Sequence, residues 1–221
     1  MAIANQGLGE KWIGKIGGVV FQRNKNQVIV KSYQPNVRNP QTEKQTEQRS
    51  KISYLTEMYR SLSGLLVTSF KEYTTSMSCF NVFTSENISK IDGQVGTSEA
   101  SVNLGNAKTF KMSKGTLRMP AITERTVNVN KLEVWITETE ITNNENAKAD
   151  DLLQVIVIDW NWSQKMLMPD VMTRTQAISG GLITITPPNQ KFMDSINDKT
   201  ALVYTYWQSA DRKKNSDTAV G

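Results

Sequence analysis

The chain has 221 residues and a mass of 24.8 kDa, room for one large or two small domains. It has no histidine and a single cysteine, Cys79, which excludes Ser-His-Asp and Cys-His catalysis, histidine-ligated zinc, thiolate clusters and internal disulfides. Twenty-six Lys and Arg against 21 Asp and Glu give a formal charge of +5, and the excess is local: residues 1–78 carry +6 and residues 79–221 carry −1. This chemistry points away from an enzyme and assigns no catalytic residue, cofactor or metal. The opening stretch Met1 to Lys15 has no apolar run of roughly 7 to 15 residues. Runs such as Val155–Ile158 are far short of a membrane span, so a soluble chain without its own export signal or membrane partner is expected.

In chain order, Gly14, Gly17 and Gly18 lead into Val19-Val20-Phe21. A polar turn, Arg23-Asn24-Lys25-Asn26, separates that run from Val28-Ile29-Val30-Lys31-Ser32-Tyr33. Two β-branched runs around an Asn-rich turn predict a β-hairpin, and Pro35 stops the second strand because it has no N–H for the ladder. Thr42-Glu43-Lys44-Gln45 is a Thr-x-x-Gln capping box and predicts a helix start. Ile52, Leu55, Tyr59, Leu62 and Leu66 step by three and four along one helical face. Gly64 is expected to weaken or bend that helix. Phe70, Tyr73, Met77, Phe80 and Phe83 continue the pattern toward Asn87, giving one bent helix or two consecutive ones over 43–88.

Ile91 to Phe110 is rich in Gly, Ser, Asn and Thr and reads as a linker. Beyond it, Val127-Asn128-Val129, Leu132 to Thr137, Leu152 to Trp160, Leu182 to Thr186 and Ala201 to Trp207 are short β-rich runs between polar clusters such as Asn143 to Asn146 and Pro187-Pro188-Asn189. They predict an immunoglobulin-like β-sandwich by architecture alone, since no Cys-Trp-Cys spacing is present. The expected fold is therefore α+β: an N-terminal β-hairpin and helical segment over 1–90, a linker over 91–110, and an immunoglobulin-like β-sandwich over 111–221.

Several stretches invite a chemical reading. Gly9-Glu10-Lys11-Trp12-Ile13-Gly14-Lys15 matches the first seven positions of a phosphate-cradling P-loop. Ile16 stands where a magnesium-binding hydroxyl is needed, and a strand rather than a helix is expected to follow, so a glycine-rich turn entering the hairpin is the better reading. Glu138, Glu140, Glu145, Asp150 and Asp151 lack the order of a calcium loop and read as a solvated hairpin loop. Asp159 beside Trp160 and Trp162 has a carbohydrate-binding look, with sandwich packing the more frequent use of such aromatics. Arg212-Lys213-Lys214 reads as a solvated turn. The serious candidate is an interaction surface of Lys11, Lys15, Arg23, Lys25, Lys31 and Arg38 with Trp12, Phe21 and Tyr33 interleaved. It suits phosphate contact and base stacking, or an acidic protein surface.

Gly14-Lys15-Ile16-Gly17-x-Val19-Val20, then Ser32-Tyr33-Gln34-Pro35-Asn36-Val37-Arg38-Asn39-Pro40-x-Thr42-x-x-Gln45 and Arg49, resembles an N-terminal signature of a family of uncharacterised proteins, of unknown function, from Bacteroidetes bacteria and their phages. Asn81-x-Phe83 with Asn87, Ser113-Lys114-Gly115-Thr116-Leu117 with Pro120, and Tyr204-x-Tyr206 with Ser209 and Asp211 extend the match. The resemblance supplies no catalytic residues. It implies a virion component, in crAss-like phages a protein of the neck or tail rings that join portal to tail.

Together these readings predict a non-enzymatic structural protein of a phage virion, assembled in the bacterial host cytoplasm as a homo-oligomeric ring against neighbours such as portal or tail proteins. The alternative is a nucleic-acid-binding accessory protein using the basic hairpin. A head-to-tail ring contact between that hairpin and the acidic loop Glu138 to Asp151 would fit the charge split. Without histidine, such an assembly should be insensitive to pH between about 6 and 8.

Overall fold

A computed structural model of the protein describes residues 2–4, 13–24, 27–36, 41–75, 77–93, 100–128, 130–138, 146–159, 164–198 and 200–221. The chain forms two compact units, Met1–Gln41 and Thr42–Gly221.

The first unit is a four-stranded antiparallel sheet of β1 (Ala2–Ala4), β2 (Gly14–Ile16), β3 (Val19–Asn24) and β4 (Gln27–Ser32) in the order β1-β4-β3-β2. The expected hairpin is β3–β4, paired from Val19↔Ser32 to Asn24↔Gln27, and β2 extends it through a two-residue turn at Gly17-Gly18. Gly17 has φ +59, the conformation required at the first central position of a tight hairpin turn and costly for any residue with a Cβ.

The second unit mixes six α-helices with antiparallel sheets among its described residues. Thr42 caps α1 (Glu43–Ser61), its hydroxyl accepting from the Gln45 amide at 3.4 Å. The helix breaks at Leu62, two residues before Gly64, and resumes as α2 (Ser63–Ser69). A 3-10 turn at Lys71–Tyr73 leads to α3 (Cys79–Asn87), capped by Ser78. Of the predicted apolar face, Leu55, Leu62, Leu66, Phe70 and Phe83 are buried, whereas Ile52, Tyr73 and Met77 are exposed.

Next come a two-stranded pair, β5 (Asp92–Gly93) with β6 (Ala100–Ser101), and the short α4 (Leu104–Ala107). The remaining strands are β7 (Ala121–Asn128), β8 (Lys131–Thr137), β9 (Leu152–Asp159), β10 (Lys165–Met168), β11 (Gly181–Ile185), β12 (Ala201–Gln208) and β13 (Ala219–Val220). Two more helices, α5 (Arg174–Ile178) and α6 (Gln190–Asn197), lie between them in sequence. One sheet has the order β10-β9-β12-β13 and the other β11-β8-β7.

Strands β9 and β12 pair over eight residues, Leu152↔Gln208 to Asp159↔Ala201. Their alternation separates two cores. Ile156, Ile158, Leu202, Tyr204 and Tyr206 pack with the apolar residues of α1, α2 and α3. Leu153, Val155, Val157, Ala201, Val203 and Trp207 pack with Leu132, Val134 and Ile136 of β8, Ile183 and Ile185 of β11, and Phe192, Met193 and Ile196 of α6. The layers are thus helices, a four-stranded sheet, and a three-stranded sheet. Each fully buried Leu, Val or Phe contributes on the order of 1.5–3 kcal/mol.

The boundary differs from the expected one. The segment 91–110 is not a spacer between separate bodies: Ile91, Val102, Ala107 and Phe110 are buried in the helical core. Among its polar residues, Asn103 caps α4, its side chain accepting from the Asn106 amide at 2.8 Å. The break falls instead at Gln41/Thr42, because the helices need the outer face of the β9–β12 sheet to bury their apolar stripe.

Candidate functional site

The basic surface expected at the N-terminus is only partly within the described residues: Lys11, Lys25, Arg38 and Trp12 lie outside them. Lys15, Arg23 and Lys31 are exposed, but they do not share a face. In the register Lys15↔Val20↔Lys31, Lys15 and Lys31 lie on one side of the sheet. Lys31 Nζ donates to Gln22 at 2.9 Å, and Lys15 Nζ sits 3.4 Å over the Tyr33 ring. Arg23 lies on the opposite side, in register with Val28. That side carries Ile16, Val19, Phe21, Val28 and Val30 and is apolar apart from Arg23 and Ser32. None of the described residues of 2–41 whose burial is defined is buried, and Ile16 is 53% exposed. A sheet of this size ordinarily needs a covered apolar face for stability.

The other sequence candidates resolve as follows. Of the P-loop-like stretch, 9–12 lies outside the described residues, and Gly14-Lys15-Ile16 is strand β2 entering a hairpin turn. Trp160 and Trp162 lie outside them too, while Asp159 is buried at the end of β9. Arg212 and Lys213 are exposed and Lys214 half-buried after the turn that follows β12, with Arg212 at φ +55 and bonded to Asp170 at 2.8 Å. Cys79 is half-buried, its thiol pushed up by burial and donating to the Val67 carbonyl at 3.0 Å. Among the described residues, no group of three or more acidic or Cys side chains is arranged to hold a metal ion.

The acidic stretch requires a correction. Glu140 and Glu145 lie outside the described residues, but Glu138 and Asp151, expected in a solvated loop, are buried. They hold Arg174, which is 0% exposed: Nη1 bonds Glu138 at 2.9 Å and Nε bonds Asp151 at 3.1 Å. Glu138 also accepts from Arg118 and, at 2.9 Å, from Trp207 Nε1, while the Arg174 guanidinium stacks 4.7 Å from the Trp207 ring. Burial pushes the Arg174 guanidinium down and the Asp151 carboxyl up, and each pair opposes that shift. The network fastens α5 to the ends of β8, β9 and β12. The charge pairing expected between the hairpin and Glu138 to Asp151 loses both ends of its acidic partner to Arg174.

A second polar cluster gathers residues that carry the sequence resemblance. Ser113 Oγ donates to the Ser216 and Ser69 carbonyls at 2.7 and 3.0 Å. Glu72 accepts from Thr116 Oγ1 at 2.9 Å and from the Asn215 amide at 2.6 Å. Gly115 packs directly on the Asn215 carbonyl, where a Cβ has no room. Asn87 donates to the Phe83 and Lys111 carbonyls at 3.0 and 2.9 Å. These residues stitch the α2–α3 region to the segments before β7 and β13. They are buried or bonded to one another and present no reactive group, so their chemistry is architectural.

Fold and contacts define a mixed α+β body joined in sequence to a small antiparallel sheet in which none of the described residues of defined burial is buried. The family described as a family of unknown function (DUF6266) matches residues 10–212. The chain belongs to that family. No curated protein and no solved structure matches it.

Proposed function

We propose that this protein is a non-enzymatic structural component of a bacteriophage virion, a neck or tail connector-ring protein that acts through contacts with copies of itself and with portal or tail neighbours. The carrying observation is the first unit: four strands whose apolar face of Ile16, Val19, Phe21, Val28 and Val30 is left without a buried residue. Laying that half-exposed face on a neighbouring subunit would bury it. The charge-paired contact with Glu138 to Asp151 is replaced here by an apolar one, with Arg23 at its margin. Seven strands, β7 to β13, in two facing sheets support the finer reading of an immunoglobulin-like sandwich, to which the helices add an outer layer. The phage and Bacteroidetes origin rests on the sequence resemblance, and virion localisation follows from the role.

Light scattering and negative-stain imaging of the full chain test the reading. Closed oligomers that dissociate in Phe21→Asp or Val30→Asp are expected. A wild-type monomer at every concentration, together with absence of the polypeptide from purified particles by mass spectrometry, would overturn it.

A second reading has its own observation, the opposite face, where Lys15, Lys31 and Tyr33 stand together. Single-stranded nucleic acid would bind there by phosphate contact and stacking. Affinity falling with salt and lost in Lys15→Glu/Lys31→Glu is then expected; salt-independent or absent binding removes this alternative.

A further inference from the structure

The sheet β11-β8-β7 buries one face against β9 and β12, through Leu132, Val134, Ile136, Ile183 and Ile185. Its outer face is open at the centre, where Trp135 is 37% exposed and Leu182 38%. Leu182 stands directly opposite Trp135 on β11, and the exposed Glu124 stands directly opposite it on β7. We propose that this outer face receives the apolar face of the first-unit sheet of a second copy of the chain, with that copy's Arg23 seated on Trp135 and paired with Glu124. Resting on the ring reading above, this contact joins each first unit to the next copy's second unit, head to tail.

The two faces match in charge as well as in apolarity. Glu124 and Glu133 are the carboxylates of the outer face among the described residues, and Glu133 is taken by Lys131 at 2.5 Å and Asn128 at 3.0 Å. Glu124 accepts from Thr126 Oγ1 at 3.3 Å and forms no ion pair among those residues. The first-unit face mirrors it. Arg23, exposed and directly opposite Val28, is the one charge among the described strand residues of its face, and it too forms no ion pair among them. Stacked as two sheets about 10 Å apart, these surfaces cover each other's apolar side chains and bring the two uncommitted charges together. A guanidinium lies flat on an indole while its edge meets a carboxylate. The second unit already builds that arrangement once: Arg174 stacks 4.7 Å from the Trp207 ring, and Glu138 accepts from both at 2.9 Å. Between copies the same three residue types come from two chains. A Trp with an Arg partner at the middle of a patch is the kind of pair that carries interface energy. The +6 and −1 split along the chain favours the same orientation.

Sedimentation velocity of the full chain over a concentration series tests the contact. Trp135→Ala, Glu124→Arg and Arg23→Glu should each weaken self-association about tenfold or more, with unchanged far-ultraviolet circular dichroism. Glu124 and Arg23 are exposed, so their variants decide the matter should Trp135→Ala fail to fold. Mixing Arg23→Glu with Glu124→Arg in equal amounts should restore association, because each copy's docking face then meets the opposite charge on the other copy. No recovery on mixing overturns the proposal. So does association lost in Val30→Asp but unchanged in Trp135→Ala and Glu124→Arg, a result that leaves the ring reading standing, whereas a wild-type monomer at every concentration removes both. Dependence on Trp135 without dependence on Arg23, the mark of the Trp135 face pairing with its own kind, also overturns it.

Discussion

Tyr204 and Tyr206 stand two residues apart on β12, point into the same helical core and are both 0% exposed. They differ in one bond. The Tyr204 hydroxyl donates to the Ala107 carbonyl at 2.7 Å, whereas the Tyr206 hydroxyl has no partner among the described residues. Burial pushes both phenols up, so each carries its proton and needs an acceptor. Tyr204→Phe removes a bond worth about 1 kcal/mol. The Ala107 carbonyl keeps a second donor, the Phe110 amide at 3.1 Å, which limits the added penalty. Tyr206→Phe breaks no bond and removes a desolvated hydroxyl, a gain of about 1 kcal/mol or more. The pair should therefore differ by about 2 kcal/mol with opposite signs. At roughly 2–4 °C per kcal/mol for a protein of this size, Tyr204→Phe melts about 3 °C lower and Tyr206→Phe about 3 °C higher than the parent. Urea unfolding at unchanged m measures the same difference. Equal shifts, or a larger loss for Tyr206→Phe, would refute the reasoning by showing that the Tyr206 hydroxyl is bonded.

Two further predictions concern charge. Arg174→Met leaves Asp151 and Glu138 buried with fewer counter-charges and should cost about 3 kcal/mol; a loss below about 1 kcal/mol in urea unfolding contradicts the network's role. Burial alone would raise Glu86, but Lys114 at 2.6 Å and Lys111 at 3.2 Å hold its carboxyl below the usual range. A lowered carboxylate stabilises the fold above its unfolded pKa and loses that contribution as pH falls through the folded one. Unfolding midpoints of Glu86→Gln should accordingly fall less steeply than those of the parent from neutral pH into the acid carboxylate range, and parallel curves would count against this pairing.

Much of the second unit was legible because local signals and tertiary demands agree. Thr42 does cap α1, and the runs at 132–137, 152–160, 182–186 and 201–207 are strands within a residue or two. The immunoglobulin-like expectation took the β9 and β12 runs as members of a two-layer core. Their lack of polar alternation signals burial on both faces and hence a third layer. Helix α5 carries the same Thr-x-x-Gln signature as α1, complete at Thr173 and Gln176, and went unread because it opens only five residues. Helix α6 is likewise absent from the sequence reading, which takes Pro187-Pro188-Asn189 as a loop, although the Asn189 cap and Phe192, Met193 and Ile196 at helical spacing carry its signal. The Arg174 network was not legible: Glu138, Asp151 and Arg174 lie far apart in sequence, and a charged residue in a polar stretch looks the same whether its partner is water or a distant guanidinium. Of the six basic residues, only Lys15, Arg23 and Lys31 are among the described ones, and Arg23 lies on the face opposite the other two. The reason is parity: Arg23 stands three residues from Val20, the cross-strand partner of both Lys15 and Lys31, and an odd step along a strand changes face.

The central position of β12 also governs the order in which the protein can be made. Helices α1 to α3 leave the ribosome more than one hundred residues before Ala201–Gln208, yet the tyrosines they pack on come from that strand. During synthesis the stripe of Leu55, Leu62, Leu66 and Phe83 has no such floor, and neither half-core closes until the last long strand inserts between two finished surfaces. The nascent chain therefore carries exposed apolar surface for most of its translation, at roughly 5–20 residues per second. Its yield will depend on chaperone capacity more than its folded stability suggests, and a premature stop before residue 201 would release an aggregation-prone product in place of a smaller folded domain.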